Sequence, residues 1–143
     1  MSTTPTYRGH CLCGGVRFRI AGPLAPIQVC HCSQCRQAQG TALATNVPVA
    51  DAAFTLEAGA ELLKAFEATP GKRRWFCQTC GSPVYSERDS LPGVKRIRIG
   101  LITGDIDAPL EAQYFVGSKA NWWPGLADEA PCFEAGPGSV RVG

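Results

Sequence analysis

CQTCG, residues 77–81, decides the fold of this chain, because it places two cysteines three positions apart with a glycine directly after the second. A CxxC turn of this kind is a zinc knuckle, in which both thiolates bind one ion. The glycine permits the left-handed backbone that such a turn needs. A tetrahedral zinc ion takes four ligands, so the knuckle predicts a second pair of thiolates elsewhere in the chain.

The second pair is expected in CLC, residues 11–13. In an extended strand, side chains two positions apart share a face, so both sulfurs can point at one ion. The sequence therefore predicts a closed structural zinc site made of Cys11, Cys13, Cys77 and Cys80. Because this site joins distant segments, the free energy of zinc binding would be free energy of folding.

CHCSQC, residues 30–35, contributes a third group of thiols: Cys30, Cys32 and Cys35. Zinc bound by three protein ligands keeps one position for water or substrate, as in catalytic sites. Such an open site can bind a substrate thiol as thiolate or polarise a carbonyl group. The three cysteines are therefore the candidate catalytic residues, and two zinc ions per chain are expected.

Cys132 and the two histidines leave alternatives open. Cys132 is either an idle thiol or a fourth ligand of the second site, which would make both sites structural. His31 lies between two ligands and, on an extended backbone, points away from their metal, which favours a hydrogen bond over ligation. His10 is expected at the surface.

The remaining composition indicates a soluble, cytoplasmic protein. No apolar run approaches 18 residues, and no apolar segment follows the N-terminus, so neither a membrane span nor a secretory signal is expected. In the reducing cytosol, eight cysteines favour metal sites over disulfides. Seven thiolates against two Zn²⁺ would lower the formal net charge of +2 by three, which gives nucleic-acid binding no support.

Short alternating segments predict a mainly β fold of antiparallel strands in one domain, residues 1–143, with a core at about 9–134. SQCRQAQG (33–40) is expected to form the one short helix, with Ser33 as N-cap and Gly40 at its end. The tail from Pro109 is expected to be irregular. The predicted strands are VRFRI (16–20), IQVC (27–30), ALATNVPV (42–49), AFTLEA (53–58), LLKAFEAT (62–69), RRWFC (73–77), PVYSER (83–88) and KRIRIGLI (95–102), the last with Arg96 and Arg98 facing outward.

Basic and aromatic residues near the cysteines are candidate substrate contacts: Arg36, Lys72, Arg73, Arg74 and Trp122. The cations either offset the negative charge of the metal clusters or also attract an anionic substrate. Trp122 either lines a pocket, packs in the core, or forms a subunit contact in a homodimer.

The segments GHCLCGGVRF, CHCSQCRQAQG and RRWFCQTCGSPVY, in this order, resemble the glutathione-dependent formaldehyde-activating enzyme family, whose domain also occurs in centromere protein V. The resemblance extends from Gly9 to Glu134. It implies a β-tent fold with a structural zinc held by the four-cysteine group and a catalytic zinc held by Cys30, Cys32 and Cys35.

The resemblance also implies a carbon–sulfur lyase that joins glutathione and formaldehyde into S-hydroxymethylglutathione. Zinc would lower the pKa of the incoming thiol, so that a thiolate nucleophile exists at neutral pH. Two other functions stay open. One is a non-catalytic zinc module that binds a protein or nucleic acid through KRR (72–74) and NWW (121–123). The other is a redox or metal-buffering protein with exchangeable zinc.

Overall fold

The computed structural model describes residues 5–124 and 131–143. The chain forms two compact units, each made of two separate stretches. The first unit consists of Met1–Ala25 and Val47–Asp107, and the second of Pro26–Asn46 and Ala108–Gly143. That the whole chain acts as one domain stays a prediction.

The fold is mainly β, as the sequence predicted. Its one α-helix in the described residues, α1, spans Ser33–Gln39, and short 3₁₀ helices span Asp51–Ala53, Ala60–Leu62, Ile99–Leu101 and Val116–Ser118. The strands are β1 (Thr6–His10), β2 (Arg17–Ala21), β3 (Ile27–Cys30), β4 (Ala44–Ala50), β5 (Phe54–Ala58), β6 (Leu63–Thr69), β7 (Lys72–Cys77), β8 (Pro83–Arg88), β9 (Leu91–Arg98), β10 (Leu110–Tyr114), β11 (Cys132–Phe133) and β12 (Arg141–Val142).

The first unit contains two antiparallel arrangements of strands, β1–β2–β5 and the meander β6–β7–β8–β9. An aromatic core lies between them. Phe18 of β2 stacks on Phe54 of β5 at 5.5 Å between ring centroids, and Phe54 meets Tyr85 of β8 edge-on at 5.7 Å. Phe18 is fully buried, as the alternation in VRFRI predicts.

In the second unit, β3 pairs antiparallel with the first half of β4 and parallel with β10. β10 also pairs in parallel with β11, and β11 pairs antiparallel with β12. The prediction of an irregular tail was therefore wrong, and two parallel pairings of β10 accompany the predicted antiparallel ones. A strand of two residues leaves no periodic pattern in the sequence, and its pairing is visible only once the distant partner is in place.

Strand β9 differs from its prediction in one further respect. It ends at Arg98, and the following Ile99–Leu101 form a 3₁₀ turn. Arg98 is only 6% exposed, so the prediction that its side chain faces solvent was wrong, while Ile97 is buried as expected. Both faces of this part of the strand are covered, and alternation of residue types alone cannot reveal that.

Candidate metal centres

The first cysteine group lies in the first unit, where two turns face each other. Strand β1 ends at His10, and the next residues form a turn in which the N–H of Gly14 donates to the carbonyl of Cys11 at 3.0 Å. The N–H of Cys11 in turn donates to the carbonyl of Val16 at 3.1 Å. The CLC segment is therefore a turn, and its prediction as an extended strand was wrong, because the chain must reverse here to pair β1 with β2.

The second turn of this group is the CQTCG knuckle, which follows strand β7. The N–H of Gly81 donates to the carbonyl of Cys77 at 2.7 Å, and Gly81 has a φ of 79°. A positive φ of this size strains any residue that carries a Cβ, which explains the glycine. The turn returns the chain to β8 and leaves the thiols of Cys77 and Cys80 facing the first turn.

The four sulfurs have the spacing that a tetrahedral zinc ion requires. All four lie within 4.8 Å of one another. The Sγ atoms of Cys11 and Cys13 are 3.5 Å apart, and those of Cys13 and Cys77 are 3.8 Å apart. A tetrahedron with zinc–sulfur bonds of about 2.3 Å has sulfur–sulfur edges of about 3.8 Å. The donor set therefore fits zinc.

Polar groups around the sulfurs favour unequal charges on them. The pKa of Cys80 is lowered to about 5, because the Ser82 hydroxyl and nearby backbone N–H groups stabilise its thiolate. The pKa of Cys13 is raised to about 11, because the Gly15 N–H that lowers it is outweighed by three neighbouring sulfurs. Four thiols at this spacing cannot all ionise alone, so a bound cation is the natural counterion for the group.

The second cysteine group lies in the second unit, at the junction of β3 and α1. Cys30 is the last residue of β3, Cys32 is the N-cap of α1, and Cys35 lies in the first turn. The Sγ of Cys32 accepts a hydrogen bond from the N–H of Cys35 at 3.3 Å. The predicted N-cap Ser33 was therefore wrong by one residue, since the sulfur takes the place of a hydroxyl oxygen. The helix ends at Gly40 as expected, with a φ of 66°.

The three sulfurs of this group also lie within 4.8 Å of one another. Cys35 is buried, whereas Cys30 and Cys32 are half-buried. Hydrogen bonds with the Cys32 and Cys35 sulfurs, together with burial, raise the pKa of Cys30. Neither His31 nor Cys132 belongs to the group, although both lie in the described part of the chain. The geometry therefore favours three thiolate ligands and does not support Cys132 as the fourth.

The basic residues predicted to contact the substrate lie in two places. Lys72, Arg73 and Arg74 are in β7 of the β6–β9 meander, and Arg36 is in α1. Arg73 forms ion pairs with Glu67, Glu87 and Asp89 at 2.9–3.4 Å, and hydrogen bonds to Asp89 and Glu87 raise its pKa further. Its neighbours Lys72 and Arg74 project from the opposite face, since successive strand residues alternate. Arg36 lies within α1, and its N–H donates to the carbonyl of Cys32 at 3.0 Å.

The predicted aromatic contact and the two histidines have different environments. Trp122 is 65% exposed. His10 is exposed, as expected, and its Nδ1 lies 2.7 Å from the carbonyl of Cys11. His31 is fully buried and bonds to Gln113 rather than to the sulfurs, so the preference for a hydrogen bond over ligation agrees with the structure.

The sequence analysis missed a basic row across the meander. The strand registers place Arg74, Ser86 and Arg96 side by side on the face that also carries Lys72 and Arg98. The only acidic residues within these four strands, Glu67 and Glu87, contact Arg73 on the other face. The alternating arginines of KRIRIG were a signal for this row, but they were predicted only to face outward.

Fold and sites together define a mainly β protein with two cysteine groups that can each hold a metal ion. Residues 6–118 match the family model of the glutathione-dependent formaldehyde-activating enzyme. The chain is 32% identical over 123 residues to a Halomonas elongata protein whose provisional name is glutathione-dependent formaldehyde-activating enzyme, covering 80% of this chain and 77% of that protein. The chain therefore belongs to the glutathione-dependent formaldehyde-activating enzyme family, as its cysteine motifs suggested.

A solved structure supports the fold. The crystal structure of a Rhodobacter sphaeroides protein matches with a TM-score of 0.59 and 26% sequence identity, and the match covers 72% of this chain and 98% of that chain. Within the described residues, no helix has the length and apolar character needed to cross a bilayer.

Proposed function

We propose that the protein is a zinc-dependent carbon–sulfur lyase acting on a thiol adduct, of the type that interconverts glutathione plus formaldehyde with S-hydroxymethylglutathione. The observation that carries this proposal is the contrast between the two cysteine groups. One offers four sulfurs and would close around its ion, whereas the other offers three and would leave one position of a tetrahedral ion to another ligand. Closed sites are structural and open sites are catalytic in zinc proteins.

Cys30, Cys32 and Cys35 would hold the catalytic zinc, and Cys11, Cys13, Cys77 and Cys80 the structural one. At the three-cysteine site the metal would supply an open position that favours the thiolate form of an incoming thiol. The substrate sulfur then attacks the formaldehyde carbon, one C–S bond forms, and the carbonyl electron pair moves to oxygen. That oxygen takes up the proton that the thiol lost, so the overall addition is balanced without an oxidant or reductant.

The distribution of charge supports an anionic thiol as substrate. Glutathione carries two carboxylates and one ammonium group at neutral pH. We propose that Lys72 and Arg74, in the basic row of the meander, attract the substrate at long range, and that Arg36 adds to the positive charge of its own unit. Arg73 contributes less, because three carboxylates neutralise it. Trp122 is proposed as an aromatic contact, given its exposed ring.

The number of sulfurs in each group gives less support to the non-catalytic alternative, a zinc module that binds protein or nucleic acid. That alternative would be favoured by a second site that is closed by a fourth protein ligand, and among the residues that the structure describes none joins the three-cysteine group. A cytoplasmic location and a homodimer remain predictions.

Calorimetric titration of glutathione into protein whose zinc content is counted on the same sample tests the proposal. We expect binding at two zinc ions per chain and its loss in Cys30→Ala. S-methylglutathione is the matched control ligand, because it keeps every charge of glutathione but cannot form a thiolate. Equal binding of both ligands, or no glutathione binding at full zinc occupancy, would refute thiol activation and leave the fold assignment intact.

A further inference from the structure

A chain of three hydrogen-bonded side chains lies behind the second cysteine group, within the second unit. The Nε2 of His31 is 2.9 Å from the Oε1 of Gln113, and the Nε2 of Gln113 donates to the Sγ of Cys132 at 3.3 Å. His31 is fully buried and Gln113 is only 4% exposed. A buried polar chain of this kind is costly unless its members satisfy one another, so its geometry is tightly constrained.

The direction of these hydrogen bonds follows from the glutamine. An amide has one donor end and one acceptor end, and in Gln113 the donor end is directed at Cys132. Its carbonyl oxygen therefore accepts from His31, which places the imidazole proton on Nε2. The Nδ1 of His31 is buried without a hydrogen-bond partner in the described residues. Gln113 consequently supplies the hydrogen bond that sets the orientation of this ring.

The backbone of β10, the strand that carries Gln113, also binds His31. The N–H of His31 donates to the carbonyl of Tyr114 at 2.9 Å, and Gln113 pairs with Val29 in the parallel β3–β10 ladder. His31 lies directly between Cys30 and Cys32 in the chain, so a shift of its backbone moves the two flanking thiols. Strand β10 thus restrains the cysteine segment through the main chain and through one side chain.

We propose that Gln113 is a positioning residue for the three-cysteine site, and that Cys132 serves as the acceptor that orients its amide. This inference rests on the proposed function, in which that site holds a metal ion. The side chain of Gln113 bonds to His31 and Cys132 rather than to the three sulfurs; it fixes the residue between two of the ligands and thereby the spacing at which the thiolates meet the ion. Groups that orient metal ligands in this way contribute to metal affinity.

The test uses Gln113→Met, which keeps the length of the side chain and removes both hydrogen bonds. Gln28→Met is the matched control, because Gln28 lies on the neighbouring strand and its amide bonds only to the surface residue Glu111 in the described contacts. Competition with a chelator measures the affinity of each zinc ion, and nitrogen-15 NMR of the imidazole reports the tautomer of His31. In Gln113→Met we expect the second ion to bind about 10- to 100-fold more weakly, the first ion to bind as in the wild type, and the His31 signals to leave the Nε2–H tautomer.

A pair of substitutions at Cys132 keeps the proposal testable if Gln113→Met folds poorly. Cys132→Ser retains an acceptor for the Gln113 amide and should preserve the affinity for the second ion, whereas Cys132→Ala removes the acceptor and should weaken it. Unchanged affinity in Gln113→Met with an unchanged His31 tautomer would overturn the positioning role, as would equal weakening of both ions together with a lower unfolding temperature. A wild-type protein that binds only one ion would overturn the proposed function as well, and the wild-type measurement alone distinguishes these cases.

Discussion

Cys13 and Cys77 lie 64 positions apart in the chain, and their sulfur atoms are 3.8 Å apart. One thiol follows strand β1 and the other ends strand β7, so the pair joins the two strand arrangements of the first unit. In the absence of a cation, these two sulfurs would repel each other when ionised, at a turn that is partly exposed to solvent. The contact is therefore explained best by a metal ion that both sulfurs share.

Cys77→Ala should unfold the protein. Structural zinc binding supplies roughly 10–16 kcal/mol in small zinc domains, which is as large as the whole stability of a typical domain, about 5–15 kcal/mol. Circular dichroism and zinc counting on the purified variant check this expectation. Cys30→Ala is the matched control: it removes a thiol from the other group and should leave a folded protein with one zinc ion. If both variants unfold to the same extent, the division into structural and catalytic sites is wrong.

Chelation should remove the two ions in order. The three-cysteine site has fewer protein ligands than the four-cysteine site, so its ion should leave first and leave the secondary structure intact. Loss of the ion from the four-cysteine site should coincide with unfolding. Because a cysteine thiol must lose its proton to bind zinc, lowering the pH should shift the release of both ions to lower chelator concentration. Parallel records of released zinc and far-ultraviolet circular dichroism test this; simultaneous release of both ions would argue against an open site.

The two cysteine groups could be predicted from the sequence because their signal is local. CxC and CxxC spacings set which thiols can reach one ion, whether the backbone between them is a strand or a turn. For that reason the predicted grouping of the four cysteines agrees with the structure, although CLC is a turn rather than a strand. Strands such as IQVC and PVYSER were equally readable, since their residue types and flanking turns agree with their conformation.

Other features depend on partners far away in the chain. Strand β10 pairs in parallel with β3, some 80 residues earlier, and with β11, so Gln113 contacts His31 on one side and Cys132 on the other only once these strands are together. Nothing in LEAQY distinguishes the buried glutamine from an exposed one. Arg98 was misplaced for the same reason: alternation shows which residues share a face, but not whether something covers that face.

Gly81→Ala should destabilise the first unit through the backbone alone. A Cβ at this position would meet no atom within 4 Å, yet the φ of 79° places it in the left-handed region. The expected loss is about 1–2 kcal/mol, measured as a shift of the chemical denaturation midpoint with zinc in excess. Gly100→Ala is the control, because it has equally open surroundings without a positive φ. A loss of the same size at both positions would show that the backbone conformation is not the cause.

Lys72 and Arg73 are neighbours on opposite faces of β7, and they should affect glutathione binding differently. Arg73 is neutralised by Glu67, Glu87 and Asp89, so Arg73→Met should leave glutathione affinity nearly unchanged and produce only a small loss of stability. Lys72→Met removes positive charge from the face that carries Arg74 and Arg96. We expect its glutathione affinity to fall by up to about fivefold, the equivalent of about 1 kcal/mol for one charge pair in water. Titrations at low and high ionic strength decide the matter, since a charge effect must shrink as salt rises. Equal affinities for the two variants at low salt would remove Lys72 from the set of substrate contacts.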